Sequence, residues 1–132
     1  MSSIFSKIAN NEIPSYKIAE NDDFLAFLDV NPLVKGHTLI IPKKETDYIF
    51  DINDEEYANL FIFAKKVAVA LKNAIECKRI GVAVIGLEVP HAHVHLIPIN
   101  KMKDMDFTNT KLSPSNQEFL DVVEKIKKFI NF

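Results

Sequence analysis

The chain of 132 residues is long enough for one domain with a substantial core, and its 48% hydrophobic and 26% charged residues are typical of a soluble globular protein. A formal net charge of −2 leaves no basic surplus for binding a polynucleotide backbone, although a single nucleotide needs none. We find neither a signal-peptide core nor a stretch of about 18 apolar residues, so we expect a cytoplasmic protein with no membrane partner.

Cysteine and glycine are both scarce, which excludes several kinds of site. Cys77 is the single cysteine, so an intrachain disulfide and a cysteine-based zinc cluster are excluded. The three glycines, Gly36, Gly81 and Gly86, fit neither a G-x-G-x-x-G dinucleotide fingerprint nor a phosphate loop of the G-x-x-x-x-G-K-[ST] type. Any phosphate must therefore be bound in another way.

The first half of the chain predicts one short helix and three strands. Apolar residues at helical spacing indicate the helix, which Pro14 ends. Polar turns separate the apolar runs that follow, which are typical of strands. The predicted elements are a helix over residues 3–10 and strands over residues 16–20, 24–28 and 37–42.

The second half predicts a long helix, two strands and a C-terminal helix. Asn53 can cap the long helix, in which apolar residues recur at helical spacing as far as Ile75. Ser113 or Ser115 begins the last helix. Between the two helices we predict strands over residues 79–85 and over the histidine-rich run near 90–99, followed by a polar loop over 100–116.

The resulting order α-β-β-β-α-β-β-α indicates the α+β class. Successive strands with no helix between them favour an antiparallel sheet, and we expect the helices to cover one face of it. No repeat or linker divides the sequence, so residues 1–132 are predicted to form a single domain.

Residues 90–99 read PHAHVHLIPI and hold three of the four histidines in the chain. His91, His93 and His95 alternate with aliphatic residues, which predicts a β-strand because strand side chains point to opposite faces with a period of two. The three imidazoles then share one face, and their aliphatic neighbours face a core.

Three interpretations of this row of imidazoles compete. The histidines could simply be polar residues on the solvated face of a half-buried strand. They could bind zinc, but the outer pair would lie roughly 13 Å apart along a strand, so one ion would need His37, an acid or Cys77 to complete its ligands. They could also be catalytic, with a neutral imidazole attacking an electrophile while its neighbours orient it and transfer protons.

The histidine row and a longer upstream stretch together resemble one family. Residues 91–97 match the His-φ-His-φ-His-φ-φ pattern of the histidine-triad (HIT) superfamily. Residues 4–44, IFSKIANNEIPSYKIAENDDFLAFLDVNPLVKGHTLIIPKK, are similar to the Hint branch almost position by position. The resemblance covers about residues 3–99. It implies an α+β fold with an antiparallel sheet, a long central helix and a C-terminal helix, and a homodimer in which each protomer has a nucleotide pocket.

The resemblance also implies a nucleotide hydrolase or transferase that attacks the α-phosphorus of a nucleoside monophosphate conjugate. His93 would be the nucleophile and form a nucleotidyl-imidazole intermediate that water cleaves. The main-chain carbonyl of His91 would orient His93, His95 would contact the phosphate and leaving group, and His37 would extend the hydrogen-bond network. Asp29 would hold the ribose hydroxyls. The base pocket would be lined by Phe5, Ile8, Ile13, Phe27, Leu28 and Val30.

Each of these roles has a simpler alternative in the sequence. The apolar residues of the base pocket could be plain core. Asp29 precedes Asn31 and Pro32, where an Asp often serves a turn. His37 follows a glycine at the start of a strand and could be a surface imidazole.

Two departures from the family pattern lie near the triad. The segment before the histidines is compressed to VIGLEVPHAH, so Leu87 takes the position of a Gln and Glu88 that of a hydroxyl residue found in many relatives. Glu45 stands where PKKH would carry another histidine. We therefore include Glu88 among the nucleotide-binding residues, as a residue that tunes the reaction.

From these observations we predict a cytoplasmic homodimer that hydrolyses a purine nucleoside phosphoramidate or a related nucleotide conjugate, with neither a metal nor another cofactor. One alternative is a dinucleoside polyphosphate hydrolase of the same superfamily. The other is a nucleotide-binding or protein-interaction module with weak turnover.

Overall fold

Five strands form one antiparallel sheet in the order β1-β2-β3-β5-β4. The structure is a computed structural model and describes residues 2–132. Its architecture confirms the predicted α+β class with an antiparallel sheet. The strands are β1 (Lys17–Glu20), β2 (Phe24–Leu28), β3 (Thr38–Pro42), β4 (Arg79–Ala83) and β5 (Val94–Ile99).

The described residues form three α-helices, and each begins at a side-chain cap. Ser3, Asn53 and Ser115 each accept a hydrogen bond from the backbone N–H three residues on, which satisfies a donor that the first helical turn leaves free. The helices are α1 (Ile4–Ala9), α2 (Asp54–Ala74) and α3 (Asn116–Lys127), and short 3₁₀ turns occupy Ile49–Asp51 and Met102–Met105. None of the helices described within residues 2–132 combines the length and the apolar character that a membrane span requires.

Alternating side chains in the central strands build a core on each face of the sheet. The larger core lies under α2 and α3 and includes Ala26, Ile40 and Val94. The opposite face carries a smaller cluster, in which α1 packs its apolar side against strands β2 and β3. The expectation that the helices cover one face is therefore wrong for α1. The members of the smaller cluster are Phe5, Ile8, Ala9, Leu25, Phe27, Leu39 and Ile41.

The strand predicted over the histidine row is shorter than expected, and so is β4. β5 begins at Val94, so His95 is the only triad histidine inside a strand. Because β4 ends at Ala83 and the chain then turns, residues 91–93 have no neighbouring strand on that side. They are held instead by isolated backbone hydrogen bonds, such as the one that the Ala92 N–H donates to the Thr46 carbonyl over 2.7 Å. The predicted alternation of faces nevertheless persists through residue 91.

Gly36 brings the chain into β3 at a crowded point beneath the sheet. Its φ of +90° is in the region that favours glycine, and a Cβ there would lie 3.1 Å from Ile75 Cγ1 and 3.2 Å from Pro98 Cγ. The next residue, His37, immediately precedes β3, and its side chain is buried.

Candidate active site

A cavity of about 490 Å³ lies on the sheet face that carries α1. Its volume is within the range of about 300–1,000 Å³ that small-molecule sites occupy. Side chains from α1 and β2 supply much of its apolar lining, and the polar lining comes from the segments around residues 29, 37, 88, 93, 95 and 111. The cavity therefore combines an apolar wall with a group of histidines and acids.

His93 lies in this lining with one of its ring nitrogens already engaged. His93 Nδ1 is 2.8 Å from the main-chain oxygen of His91. Because a carbonyl can only accept, Nδ1 carries the hydrogen and Nε2 of the neutral ring keeps a free lone pair. The Phe5 ring packs against His93 edge-on, with 4.9 Å between ring centroids. This geometry leaves Nε2 as the nitrogen available to attack an electrophile.

His37 and His95 form a hydrogen-bonded pair whose hydrogens are fixed by the backbone. The Leu33 N–H donates to His37 Nδ1 over 3.0 Å, so the hydrogen of a neutral His37 is on Nε2. That Nε2–H donates to His95 Nδ1, 2.9 Å away. The hydrogen of a neutral His95 is therefore on its Nε2, which is left as a donor for a ligand in the cavity.

Burial keeps both members of this pair uncharged at neutral pH. Desolvation, together with the neighbouring His95 and Lys111, lowers the pKa of His37 to about 3. Desolvation and the nearby His93 lower the pKa of His95 to about 4. The hydrogen-bond directions deduced for the neutral rings therefore hold across the physiological range.

His91 is fully buried and lies behind the cavity rather than in its lining. Its Nε2 donates to the Pro42 carbonyl over 2.7 Å, so Nδ1 accepts from the Ser3 hydroxyl over 2.8 Å. The carboxylate of Glu45 accepts from the Ser3 N–H and the Ser6 hydroxyl, 2.6 and 2.7 Å away, and these bonds hold the pKa of Glu45 at about 2. This network ties α1 to the residue whose carbonyl orients His93.

Asp29 serves a turn with one oxygen and faces the histidines with the other. Its Oδ1 accepts from the Asn31 N–H over 2.8 Å, as the turn interpretation of the sequence expects. Its Oδ2 is 3.6 Å from His37 Nε2. Burial, the largest influence, raises the pKa of Asp29.

The structure brings most of the remaining sequence candidates to the cavity. Ile13 is the exception among them, since it packs beside the smaller cluster outside the lining. Val30 and Glu88 are exposed at the cavity surface. The candidates that line the cavity are Phe5, Ile8, Phe27, Leu28, Asp29, Val30, His37, Glu88, His93 and His95.

Sequence reasoning missed two lining residues in the loop after β5. The Phe107 ring meets His95 edge-on at a centroid distance of 4.9 Å, and Lys111 contributes an ammonium group to the polar lining. The one available signal was an isolated aromatic residue within an otherwise polar loop. Nothing in local periodicity indicates that this loop folds back over the histidines.

Asp29, His37 and His95 also offer donor atoms within 4.8 Å of one another, as a metal site would. The hydrogen-bond pattern disfavours this use. Because the Leu33 N–H makes His37 Nδ1 an acceptor, His37 Nε2 carries a hydrogen and its lone pair is not available to a cation. These three residues are therefore better suited to position a hydrogen-bond donor in the cavity than to bind a metal.

The chain is similar in sequence to proteins of one family. Residues 10–102 match the family described as the HIT domain. An uncharacterised HIT-like protein of Borreliella burgdorferi is 37% identical over 131 residues, which cover 93% of this chain and 94% of that protein. The adenosine 5′-monophosphoramidase HNT1 of Saccharomyces cerevisiae is 41% identical over 96 residues, which cover 72% of this chain and 61% of the yeast protein.

The fold is also close to that of solved structures. The crystal structure of a Hit-like protein from Bartonella henselae, described as involved in cell-cycle regulation, aligns with a TM-score of 0.84 and 30% sequence identity. The alignment covers 98% of this chain and 97% of the Bartonella chain. The similarity therefore includes α1 and α3 as well as the sheet.

Proposed function

The chain belongs to the HIT-domain family, and from this premise we propose that it is a cytoplasmic enzyme that hydrolyses a purine nucleoside phosphoramidate or a related nucleotide conjugate. The observation that carries the proposal is the hydrogen-bond pattern of His93, which places the hydrogen on Nδ1 and the lone pair on Nε2. The similarity to a yeast adenosine 5′-monophosphoramidase supports the choice of substrate class.

In the proposed reaction, His93 Nε2 attacks the α-phosphorus and a nitrogen–phosphorus bond forms. The bond from phosphorus to the leaving amine breaks, and the amine takes a proton from solvent as it departs. Water then attacks the nucleotidyl-imidazole and gives a proton back to solvent, which releases the nucleoside monophosphate and restores the neutral ring. His91 takes part only through its carbonyl, which holds the hydrogen on Nδ1 of His93 while Nε2 forms and breaks the bond.

His95 supplies the hydrogen-bond donor that the phosphate needs. Its Nε2–H is positioned by His37 and is preorganised before a substrate arrives, so no reorganisation is required as charge develops on the phosphate oxygens. Asp29 is suited to accept from ribose hydroxyls through Oδ2, and the apolar wall near Phe5 and Phe27 is suited to hold the base.

A substrate panel and a trapping experiment test this proposal. We expect adenosine phosphoramidates to be turned over faster than dinucleoside polyphosphates. Mass spectrometry after a brief exposure to substrate should find the protein heavier by one nucleotidyl group. A nucleotide-binding or interaction module would show at most weak turnover and no adduct, and a preference for dinucleoside polyphosphates would favour the other hydrolase class.

Glu88 is expected to slow the reaction rather than to perform a step in it. Its carboxylate lines the same cavity as Asp29 and adds negative charge where a phosphate must bind. Replacing Glu88 with serine should therefore raise kcat/KM for a phosphoramidate by about two- to fivefold at low ionic strength, and less at high salt. Steady-state kinetics at two salt concentrations measure this.

Two further variants sharpen the Glu88 experiment. Glu88→Gln removes the charge while keeping the shape, so it should match Glu88→Ser. Glu55→Gln removes a charge on α2, outside the cavity lining, and should leave kcat/KM unchanged at both salt concentrations. A loss of activity as large as that from removing His93 would show that Glu88 has an essential acid–base role.

We also propose that the enzyme is a homodimer, paired through β4 and α2. β4 is an edge strand, and Val82 on it is 56% exposed, as are Ile62 and Val69 on α2, at 54% and 56%. An exposed apolar edge strand can pair with the same strand of a second copy.

Sedimentation should show a dimer at micromolar concentration and a shift toward monomer for Val82→Lys. The exposed residue Leu120 on α3 provides the control, since Leu120→Lys should leave the dimer intact. A wild-type monomer under these conditions would contradict the proposal.

A further inference from the structure

Ser15 has a hydroxyl group that the fold leaves without a partner. It lies between α1 and β1, and its side-chain oxygen is buried although the residue as a whole is only half-buried. Among residues 2–132, it is the one buried side-chain nitrogen or oxygen atom with no hydrogen bond. Such an atom loses its bonds to water on folding and gains nothing in return, so its presence requires an explanation.

The position of Ser15 in the cavity suggests that explanation. Ser15 is part of the lining, together with the apolar side chains of Ile4, Phe5, Ile8 and Phe27. No other serine, threonine or tyrosine occurs among the described residues of that lining. Its hydroxyl is therefore the one side-chain hydroxyl that the described lining offers to a ligand, and it shares that lining with the apolar side chains suited to an aromatic base.

A buried purine would present the complementary requirement. The ring nitrogens and exocyclic group of a purine also lose water when the base enters an apolar site, and the loss is costly unless a partner replaces the water. A serine hydroxyl can donate and accept, so it can pair with either kind of edge atom. Because no hydrogen bond fixes the Ser15 rotamer, rotation about χ1 toward a ligand breaks no existing bond.

We propose that the Ser15 hydroxyl is a specificity-determining group that forms a hydrogen bond with the polar edge of the bound purine. The inference rests on the proposed nucleotide chemistry of the site and deepens it. It assigns base recognition to a residue that takes no part in the attack on phosphorus. The role is one of binding, so it should appear in ligand affinity and in KM rather than in kcat.

The test is a calorimetric double-mutant cycle between the protein and the base. Adenosine 5′-monophosphate is compared with analogues that each lack one polar atom of the base: the 6-amino group, N1, N3 or N7. The wild type should bind one of these analogues about 3- to 10-fold more weakly than the parent nucleotide, the range expected for one neutral hydrogen bond. Ser15→Ala should bind the parent nucleotide weaker by a similar factor and should no longer distinguish it from that analogue.

Control variants separate recognition from folding. Ser15→Ala should unfold at the same denaturant concentration as the wild type or a slightly higher one, because it removes an unpaired buried hydroxyl. Ser15→Cys keeps a similar volume with a much weaker donor and should behave like the alanine variant. Ser113→Ala, in the exposed segment before α3, should leave both affinity and discrimination unchanged.

The outcomes also distinguish this inference from the proposed function. If the wild type binds adenosine 5′-monophosphate but the effects of Ser15→Ala and of every analogue on the binding free energy simply add, Ser15 forms no hydrogen bond with the base. That result would overturn the inference. If the wild type binds no nucleotide at all, the proposed function itself is wrong.

Discussion

His93→Ala is expected to lower turnover of an adenosine phosphoramidate by at least about 10³-fold, because it removes the atom that forms the covalent bond. Affinity for adenosine 5′-monophosphate should change little. The apolar wall, Asp29 and His37 belong to other segments and stay in place, and His95 keeps its hydrogen bond to His37. The expected signature is thus a loss in kcat with nucleotide binding retained.

Three measurements check this expectation. Calorimetry compares the nucleotide affinity of the variant with that of the wild type. Mass spectrometry should find the nucleotidyl adduct on the wild type and none on His93→Ala. His93→Gly leaves a space into which free imidazole can diffuse, so added imidazole should restore part of the turnover if Nε2 of the ring is the attacking atom. Imidazole should not rescue His91→Gly, since that site is fully buried and outside the cavity.

The zinc interpretation of the histidine row makes the opposite claim about the same residue. Under it, His93→Ala would lose bound metal, and a strong chelator would abolish the activity of the wild type. We expect chelators to have little effect, because the hydrogen-bond pattern leaves His37 Nε2 protonated and the His93 Nδ1–H directed at a carbonyl. Chelator-sensitive activity together with stoichiometric bound zinc would overturn the assignment of His93 as nucleophile.

The sequence predicts which face each residue occupies more accurately than it predicts where strands end. Period-two alternation correctly separates Val94 and Leu96, in the larger core, from the histidines on the other face. The strand boundary fails because a strand requires a neighbour to pair with, and β4 turns away at Ala83. Pairing of that kind depends on contacts between distant segments, which local periodicity does not contain.

The arrangement of hydrogens in the site has the same long-range origin. The backbone N–H of Leu33 and the carbonyl of Pro42 determine the hydrogen positions of two histidines, and neither residue type indicates this in the sequence. Glu45 is instructive for a different reason. In the sequence it is only a departure from the family pattern. In the structure its carboxylate accepts a hydrogen bond from Ser3, whose hydroxyl is bonded to His91, so Glu45 belongs to the network that joins α1 to His91.

The buried histidines are also expected to make the protein sensitive to mild acid. We expect the free energy of unfolding to fall by about 2–4 kcal/mol between pH 7 and pH 5. In the unfolded chain each histidine titrates near its ordinary pKa of about 6.5. In the folded protein, burial lowers the pKa of His37 to about 3 and that of His95 to about 4. Below about pH 6.5 the unfolded state therefore binds protons that the folded state does not.

The sign of the effect follows directly from these pKa shifts. The stability contributed by the two neutral rings is fully present above the unfolded pKa and is lost progressively as pH falls toward the folded pKa values. Burial lowers the pKa of His91 as well, so that residue acts in the same direction. Carboxylates with ordinary pKa values, near 4, contribute mainly below pH 5. Burial raises the pKa of Asp29, so that residue acts in the opposite direction to the histidines. The window from pH 7 to pH 5 therefore reports chiefly on histidine.

Urea unfolding at several pH values measures this slope, and single substitutions assign it. His37→Asn removes one of the strongly shifted groups and should reduce the pH dependence by roughly a third to a half, whatever it does to stability at pH 7. His95→Asn should act in the same way. A wild-type stability that stays constant from pH 7 to pH 5 would mean that the folded protein accepts these protons. In that case His37 and His95 would be charged, and the chain of neutral donors from Leu33 to His95 Nε2, on which the proposed phosphate contact depends, would not exist in solution.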